Sequence, residues 1–241
     1  MNTASVLSSH GVVKRFGGFT ALTGIDFDLG PNERVGLIGP NGSGKSTFVN
    51  CLTGALPCDA GKIDFGGVDI TDMAAWRRAR LGLARSFQIP RPFRGLTVRR
   101  NIEVPLAFAA GMSDQREIER QAEEVLVRVG LSAKSRKAPR SLSQVELRKL
   151  ELGRALAARP KVLIADEAMA GLSDSEVDEI LVLLMQLNDS GIAIVLIEHI
   201  MRAVVRFSQR VIVLVAGAKI AEGTPQDVMS HPEVVRAYLG Q

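Results

Sequence analysis

The chain has 241 residues, 46% of them hydrophobic and 23% charged, a balance that fits one sizeable core or two small ones and excludes wholesale disorder. Its net charge is a mild +4, and its two cysteines, Cys51 and Cys58, form neither a disulfide framework nor a ligand set, so reduced cytosolic thiols are the simplest reading. The longest apolar runs, "IAIVLI" and "VIVLVAGA", are too short to cross a bilayer, and the N-terminus lacks the basic and apolar regions of a signal peptide. The expectation is a cytoplasmic protein that meets a membrane only through partners.

Residues 4 to 30 read as antiparallel β-structure folded at Gly17 and Gly18, the second segment ending at "GPNE". "RVGLI" is a short apolar strand, followed by a Gly-rich turn and the helix "KSTFVNCLTG". "GKIDFGG" reads as an edge hairpin strand. From Met73 to about Gly130 the pattern is mainly helical, broken by "IPRPFRG", whose prolines forbid a continuous helix. Within it "LARSFQIP" carries a strand that ends at Gln88.

A further helix begins in "SLSQVELRKLELGRAL": Ser143 can cap it and Glu146, three residues on, completes a capping box. Then "KVLIAD" is a strand, "SEVDEILVLLMQLND" a helix, "GIAIVLIEH" and "RVIVLV" strands, and the tail is helical. That alternation argues for a mostly parallel sheet built from βαβ units, and sparse aromatics with abundant Leu, Val, Ile and Ala agree. No internal repeat is present. Eight arginines crowd the stretch from Arg77 to Arg100. They read either as a solvated, ion-paired face or as a surface for anionic lipid or an acidic partner, with nucleic acid disfavoured by the lack of interleaved aromatics.

Chemistry concentrates at strand ends. "GPNGSGKST" spans Gly39, Pro40, Asn41, Gly42, Ser43, Gly44, Lys45, Ser46 and Thr47, and satisfies G-x-x-x-x-G-K-[ST] between a strand and a helix. Its glycines let backbone N–H groups curl around phosphates, with Lys45 reaching the β- and γ-phosphates and Ser46 ligating Mg²⁺. "VLIADE" ends a buried strand on Asp166 and Glu167, placed to hold Mg²⁺ and to take a proton from an attacking water, respectively. "IVLIEH" ends another on Glu198 and His199, the latter aligned for a γ-phosphate contact.

In this order and spacing the motifs resemble, over essentially the whole length, the nucleotide-binding subunit of an ABC transporter. "GPNGSGKST" is similar to the Walker A loop, "SFQ" to the Q-loop, "LSQVELRKLELGRALA" to the signature segment, "VLIADE" to Walker B, "AGLS" to the D-loop and "IEH" to the H-loop. The finer resemblance, carried by "KRFGGFTAL", "FVNCLTG", "RSFQIPRPFRGLTVRRNI" and "AEGTPQDVMSHPEVVRAYLG", is to ATPase subunits of branched-chain amino acid importers. Relatives for urea, amides, lipid or lipopolysaccharide stand close by.

The resemblance implies an α/β fold: a P-loop NTPase core with a mainly parallel sheet, an N-terminal antiparallel β-subdomain and an inserted helical subdomain. It divides the single domain into residues 1–88, 89–150 and 151–241. It implies ATP and Mg²⁺, with Phe16 stacking on adenine, Ser46, Gln88 and Asp166 serving the metal, and Lys45, Glu167, His199 and Gln88 serving hydrolysis. Implied partners are a second ATPase subunit whose ATP site Ser143 completes, membrane permeases docking near Gln88 and the arginine cluster, and, indirectly, an extracytoplasmic binding protein. No nucleic acid is expected, and the place of action is the cytoplasmic face of the membrane.

The signature departs from the family's LSGGQ or LSYGQ: Gln144, Val145 and Glu146 replace both glycine positions and the glutamine. Ser173 stands at the D-loop's usual aspartate and Ala168 at Walker B's usual proline. The altered signature favours a different partner ATPase, with an identical one left open. Two other classes fit the motifs less well. A soluble ABC ATPase for nucleic acid or ribosomes usually has two cassettes or coiled-coil insertions, and a P-loop kinase or GTPase would not explain Gln88, the "LS" helix and His199 together.

Overall fold

The computed structural model describes residues 5–87 and 89–239. Strands β1 (Leu7–Phe16) and β2 (Phe19–Leu29) form the expected hairpin about Gly17 and Gly18. β3 (Arg34–Ile38) runs through the Gly-rich turn into α1 (Lys45–Thr53). β4 (Ala60–Phe65) and β5 (Val68–Asp69) join β1 to complete a four-stranded antiparallel sheet in the order β2-β1-β4-β5. α2 (Ala75–Leu81) and β6 (Leu83–Ser86) follow, separated by Gly82, whose φ of 108° ends the helix.

Helices α3 (Val98–Phe108), α4 (Gln115–Arg128) and α5 (Gln144–Ala157) pack on one another. α5 is continuous through residue 150, so the boundary expected there falls inside an element. The second half runs β7 (Val162–Asp166), α6 (Asp174–Asp189), β8 (Ala193–Ile197), α7 (Met201–Phe207), β9 (Arg210–Val215), β10 (Ala218–Gly223), α8 (Pro225–Ser230) and α9 (Pro232–Leu239).

The larger sheet has the order β10-β9-β3-β8-β7-β6, parallel except for β10. Here the sequence reading needs correction, because the tail is not wholly helical. Ala216 and Gly217, at φ 48° and 78°, reverse the chain into β10, the backbone of a two-residue hairpin turn that matches strand twist.

Both faces of this sheet are covered, which is why its strands read as continuous apolar runs. Leu163 and Ala165 of β7 face the core shared with the helical region, whereas Val162 and Ile164 face the core shared with the antiparallel sheet and α1. Phe27 and Phe48 meet edge to face at 5.7 Å in that second core, fixing α1 against β2. A third cluster of Ile38, Val204, Val211, Val213, Val228 and Val234 seats the C-terminal helices on β3 and β9. The three packings hold the C-terminal ends of β3, β7 and β8 side by side, where open α/β sheets place their ligands.

Candidate functional site

The turn after β3 is shaped by its glycines. Gly39 has φ 152°, and a Cβ there would run into the carbonyl oxygen of Leu214 and come within 2.6 Å of Ser43 Oγ. Gly44, at φ 102°, is the residue before α1. The Gly217 N–H donates to the Ser43 carbonyl at 3.0 Å, so the β9–β10 hairpin braces the loop. Lys45 opens α1, and its Nζ donates to the Gly39 and Pro40 carbonyls at 2.7 and 3.0 Å. Burial pushes its pKa down, with Glu167 and then Asp166 opposing the shift.

Above the loop lie two half-exposed rings, Phe16 at 48% and Phe19 at 64% exposure, paired across the end of the β1–β2 hairpin. They share a recess of about 350 Å³ with residues 41–47 and Glu167. Glu167 follows the last residue of β7, with φ 45° and its N–H bonded to the Ile197 carbonyl at 2.9 Å. A non-glycine residue in this region is uncommon and is held here by the hydrogen bond to β8.

Asp166 is buried and ion-paired: Arg85 from β6 donates to its Oδ2 at 2.6 Å and, through the other prong, to Asn50 Oδ1 at 2.6 Å. Beyond β8, Glu198 is buried and accepts from the Met169 N–H at 2.9 Å, and burial raises its pKa. His199 next to it is solvent-facing, with Nδ1 3.9 Å from Glu198 Oε2.

The capping box at α5 is formed as expected. Ser143 Oγ accepts from the Glu146 N–H at 3.3 Å, and Glu146 Oε2 accepts from the Ser143 N–H at 2.8 Å. Lys134 adds an ion pair at 2.6 Å and, with the bond from Ser143, holds the Glu146 carboxyl below its ordinary pKa of 4.5. The Val145 side chain is buried in the core with α3 and α4. Arg148, one turn further, donates to the Ala170 carbonyl at 3.1 Å, linking α5 to the segment after Glu167. Ser173 precedes α6, where its N–H and hydroxyl donate to Glu176 Oε2, each at 2.8 Å.

Among the residues singled out from sequence, Phe16, Asn41, Gly42, Ser43, Gly44, Lys45, Ser46, Thr47 and Glu167 line one recess. Gly39 and Pro40 lead into it and bond Lys45. Ser143 and His199 do not line it, and Gln88 lies outside the described residues. The arginine cluster does not form one surface. Arg78 is buried, donating to the carbonyls of Cys51, Leu52, Thr71 and Met73, and Arg85 turns inward to Asp166. Sequence reading placed Arg85 only in the arginine cluster and gave Glu198 no role of its own, and it passed over Asn50 and Arg148. For Arg85 the available signal was a charge inside a short, mostly buried strand, which demands a partner.

A second cavity, about 370 Å³, is mostly apolar and lies between α2, β6, α3 and α5. Leu83, Phe87, Phe93, Val104, Phe108 and Ala155 line it. Trp76 is exposed nearby, stacked against by Arg77 and Arg80 at 5.1 and 5.3 Å.

The main recess suits a nucleotide triphosphate with a divalent cation. Gly39 and Gly44, at positive φ, pack so closely on Leu214 and Ala21 that a Cβ would displace the loop from its curl, α1 presents its N-terminal amides, and Lys45 feels the charge of Glu167 and Asp166. Fold and site together define a P-loop nucleotide-binding cassette. The ABC transporter family profile matches residues 22–170, and a profile described as branched-chain amino acid ATP-binding cassette transporter matches residues 218–241. The high-affinity branched-chain amino acid transport ATP-binding protein BraF of Pseudomonas aeruginosa is 33% identical, covering 98% of each chain. LivG of Escherichia coli K12, described in the same words, is 34% identical over 98% of each. The structure of MJ1267, an ATP-binding cassette of an ABC transporter, superposes with a TM-score of 0.89 at 31% identity, covering 98% of this chain and 99% of that one. The chain therefore belongs to the ABC transporter family and is an ATPase subunit of that class. Among the described residues no helix is long and apolar enough to cross a membrane.

Proposed function

We propose that this chain hydrolyses ATP to drive an ABC system importing branched-chain amino acids, working as one of two ATPase subunits beneath membrane permeases. The observation that carries the reading is the single recess in which the residue 41–47 loop, the Phe16–Phe19 hairpin end and Glu167 converge. In this reading the loop amides and Lys45 hold the phosphates, and Phe16 stacks on the adenine. Glu167 accepts the proton of the attacking water, and His199 supports the γ-phosphate. Ser46, Asp166 and Gln88 would hold a magnesium ion, which when bound neutralises phosphate charge.

Ser143, at the N-terminus of α5, contacts the ATP of the second subunit in this proposal. Gln144, Val145 and Glu146 make that contribution weaker, so the two sites of the pair differ, which favours a non-identical partner. The mostly apolar groove rimmed by Phe87, Phe93 and Phe108 is the permease seat. The relatives' cargo supplies the substrate class.

Affinity purification of the tagged chain from solubilised membranes, followed by ATP-dependent leucine uptake in vesicles rebuilt from the recovered complex, tests this. Permeases and uptake are the expected result. Recovery of nucleic acid without a permease refutes the transport reading. Disabling only the partner's Walker lysine should leave substantial hydrolysis, and near-complete loss would refute the asymmetry.

A further inference from the structure

Arg85 lies in β6 between Ala84 and Ser86, with a side chain only 14% exposed. A guanidinium in such a place is tolerated only when paired and hydrogen-bonded. Its register partner on β7 is Ile164, yet the side chain reaches past it to Asp166 Oδ2 at 2.6 Å. The second prong bonds Asn50 Oδ1, also at 2.6 Å. Asn50 sits on α1, the helix that Lys45 opens. One planar group therefore joins the phosphate-loop helix, the Walker B carboxylate and the edge strand. On its outer side the guanidinium lies 5.2 Å from the Phe87 ring, and both residues line the apolar groove.

A two-point anchor of this kind restricts the rotation of the carboxylate it holds. The fork of Arg85 is fixed by Asn50, so Asp166 has one oxygen engaged at a set angle and the other available. A lysine would keep the charge but, with its ammonium, not the planar fork. The cation also draws on the negative charge that Asp166 presents to a metal.

We propose that Arg85 is a positioning residue for ATP hydrolysis, acting through Asp166: it orients the carboxylate and moderates its charge toward the divalent cation. Its two effects pull apart in experiment. Arg85→Gln releases both the orientation and the charge, so kcat falls by about 10-fold, the scale of losing one charge-assisted bond. The magnesium concentration giving half of the gain in ADP affinity meanwhile drops about 3-fold, because a freed carboxylate attracts the cation more strongly. Arg85→Lys keeps the charge, so kcat falls while the magnesium midpoint stays at the wild-type value.

The assays are fluorescent-ADP titration of the full-length chain with EDTA or graded magnesium, and hydrolysis by the permease-bound complex. Affinity in EDTA should be unchanged, since the loop amides and Lys45 are untouched. In an Asp166→Asn background, Arg85→Gln should no longer move the magnesium midpoint. A midpoint shift that persists there, an unmoved midpoint in Arg85→Gln alone, or wild-type turnover in both variants overturns the proposal. If Arg85→Gln fails to fold, Arg85→Lys decides: wild-type kcat refutes the orienting role and a lowered kcat with unchanged midpoint upholds it.

Discussion

Glu146→Gln restores the family's residue at the end of the signature and should move stability and activity in opposite directions. The amide still offers an oxygen to the Ser143 N–H, so the capping box survives. Lost are the ion pair to Lys134, whose side chain is 41% exposed, and the negative charge at the start of α5. A half-exposed pair contributes about 0.5 kcal/mol, and a charge on the helix dipole about as much again. The variant should therefore be less stable by about 1 kcal/mol at pH 7, a drop of about 3 °C in Tm for a chain of this size.

The pH dependence has a fixed sign. The folded state holds this carboxyl below its ordinary 4.5, so its stabilisation is complete above that value and is lost as pH falls through the lower folded value. The gap between wild type and variant should be constant at neutral pH and close in acid. In the proposed pair, hydrolysis at the partner's site should meanwhile rise only modestly, by about 2-fold, since the charge removed is one that Lys134 already holds. Urea melts at pH 7 and pH 4, with hydrolysis in the complex, provide the measurements. A variant as stable as wild type at pH 7, or a gap that widens in acid, would refute this account of Glu146.

Phe16→Ala should weaken ATP binding about 5-fold to 10-fold, the scale of one lost aromatic stack, while Phe19→Ala should change it less than about 2-fold; nucleotide titration separates them, and the reverse order would move the adenine contact to Phe19. Gly39→Ala puts a Cβ against the Leu214 carbonyl and within 2.6 Å of Ser43 Oγ, so nucleotide affinity should fall more than about 10-fold with about 2 kcal/mol of stability lost. Gly54→Ala should cost about 3 kcal/mol in a denaturant melt, because the new Cβ would lie 2.7 Å from Nε of the buried Arg78 at a backbone φ of 76°.

What sequence reading could reach was local. The Gly-rich loop between β3 and α1, the acidic end of β7 and the capping box at Ser143 each have a short-range signature, because spacing along the chain fixes their geometry. The strands of the parallel sheet were readable for a related reason, since double-sided burial makes them uniformly apolar. β10 escaped because "AKIAEG" is only partly buried and lacks that pattern. The links between motifs escaped for a deeper reason. Arg85 meets Asp166 across 81 positions, Glu198 meets Met169 across 29, and Arg148 meets Ala170 across 22. Such pairs are created by strand order, which no local spacing encodes. The same blindness scattered the arginine cluster, whose members looked like one face in sequence and divide in space between core and surface.

The altered signature illustrates how tertiary contacts change the meaning of a substitution. On sequence alone, Val145 and Glu146 threaten the neighbouring ATP with bulk and with charge. In the fold, the Val145 side chain is committed to the core with α3 and α4, and the Glu146 carboxylate is held by Lys134 and its own helix start. Neither is free to oppose a phosphate without breaking contacts that stabilise α5. In the proposed pair the partner's site therefore loses favourable interactions more than it gains repulsive ones, and its hydrolysis should be slowed rather than abolished. Removing the restraint with Lys134→Ala should free the carboxylate and slow that site further, whereas Glu146→Gln should relieve it. If Lys134→Ala left partner-site hydrolysis unchanged, Glu146 would not be acting through charge at all.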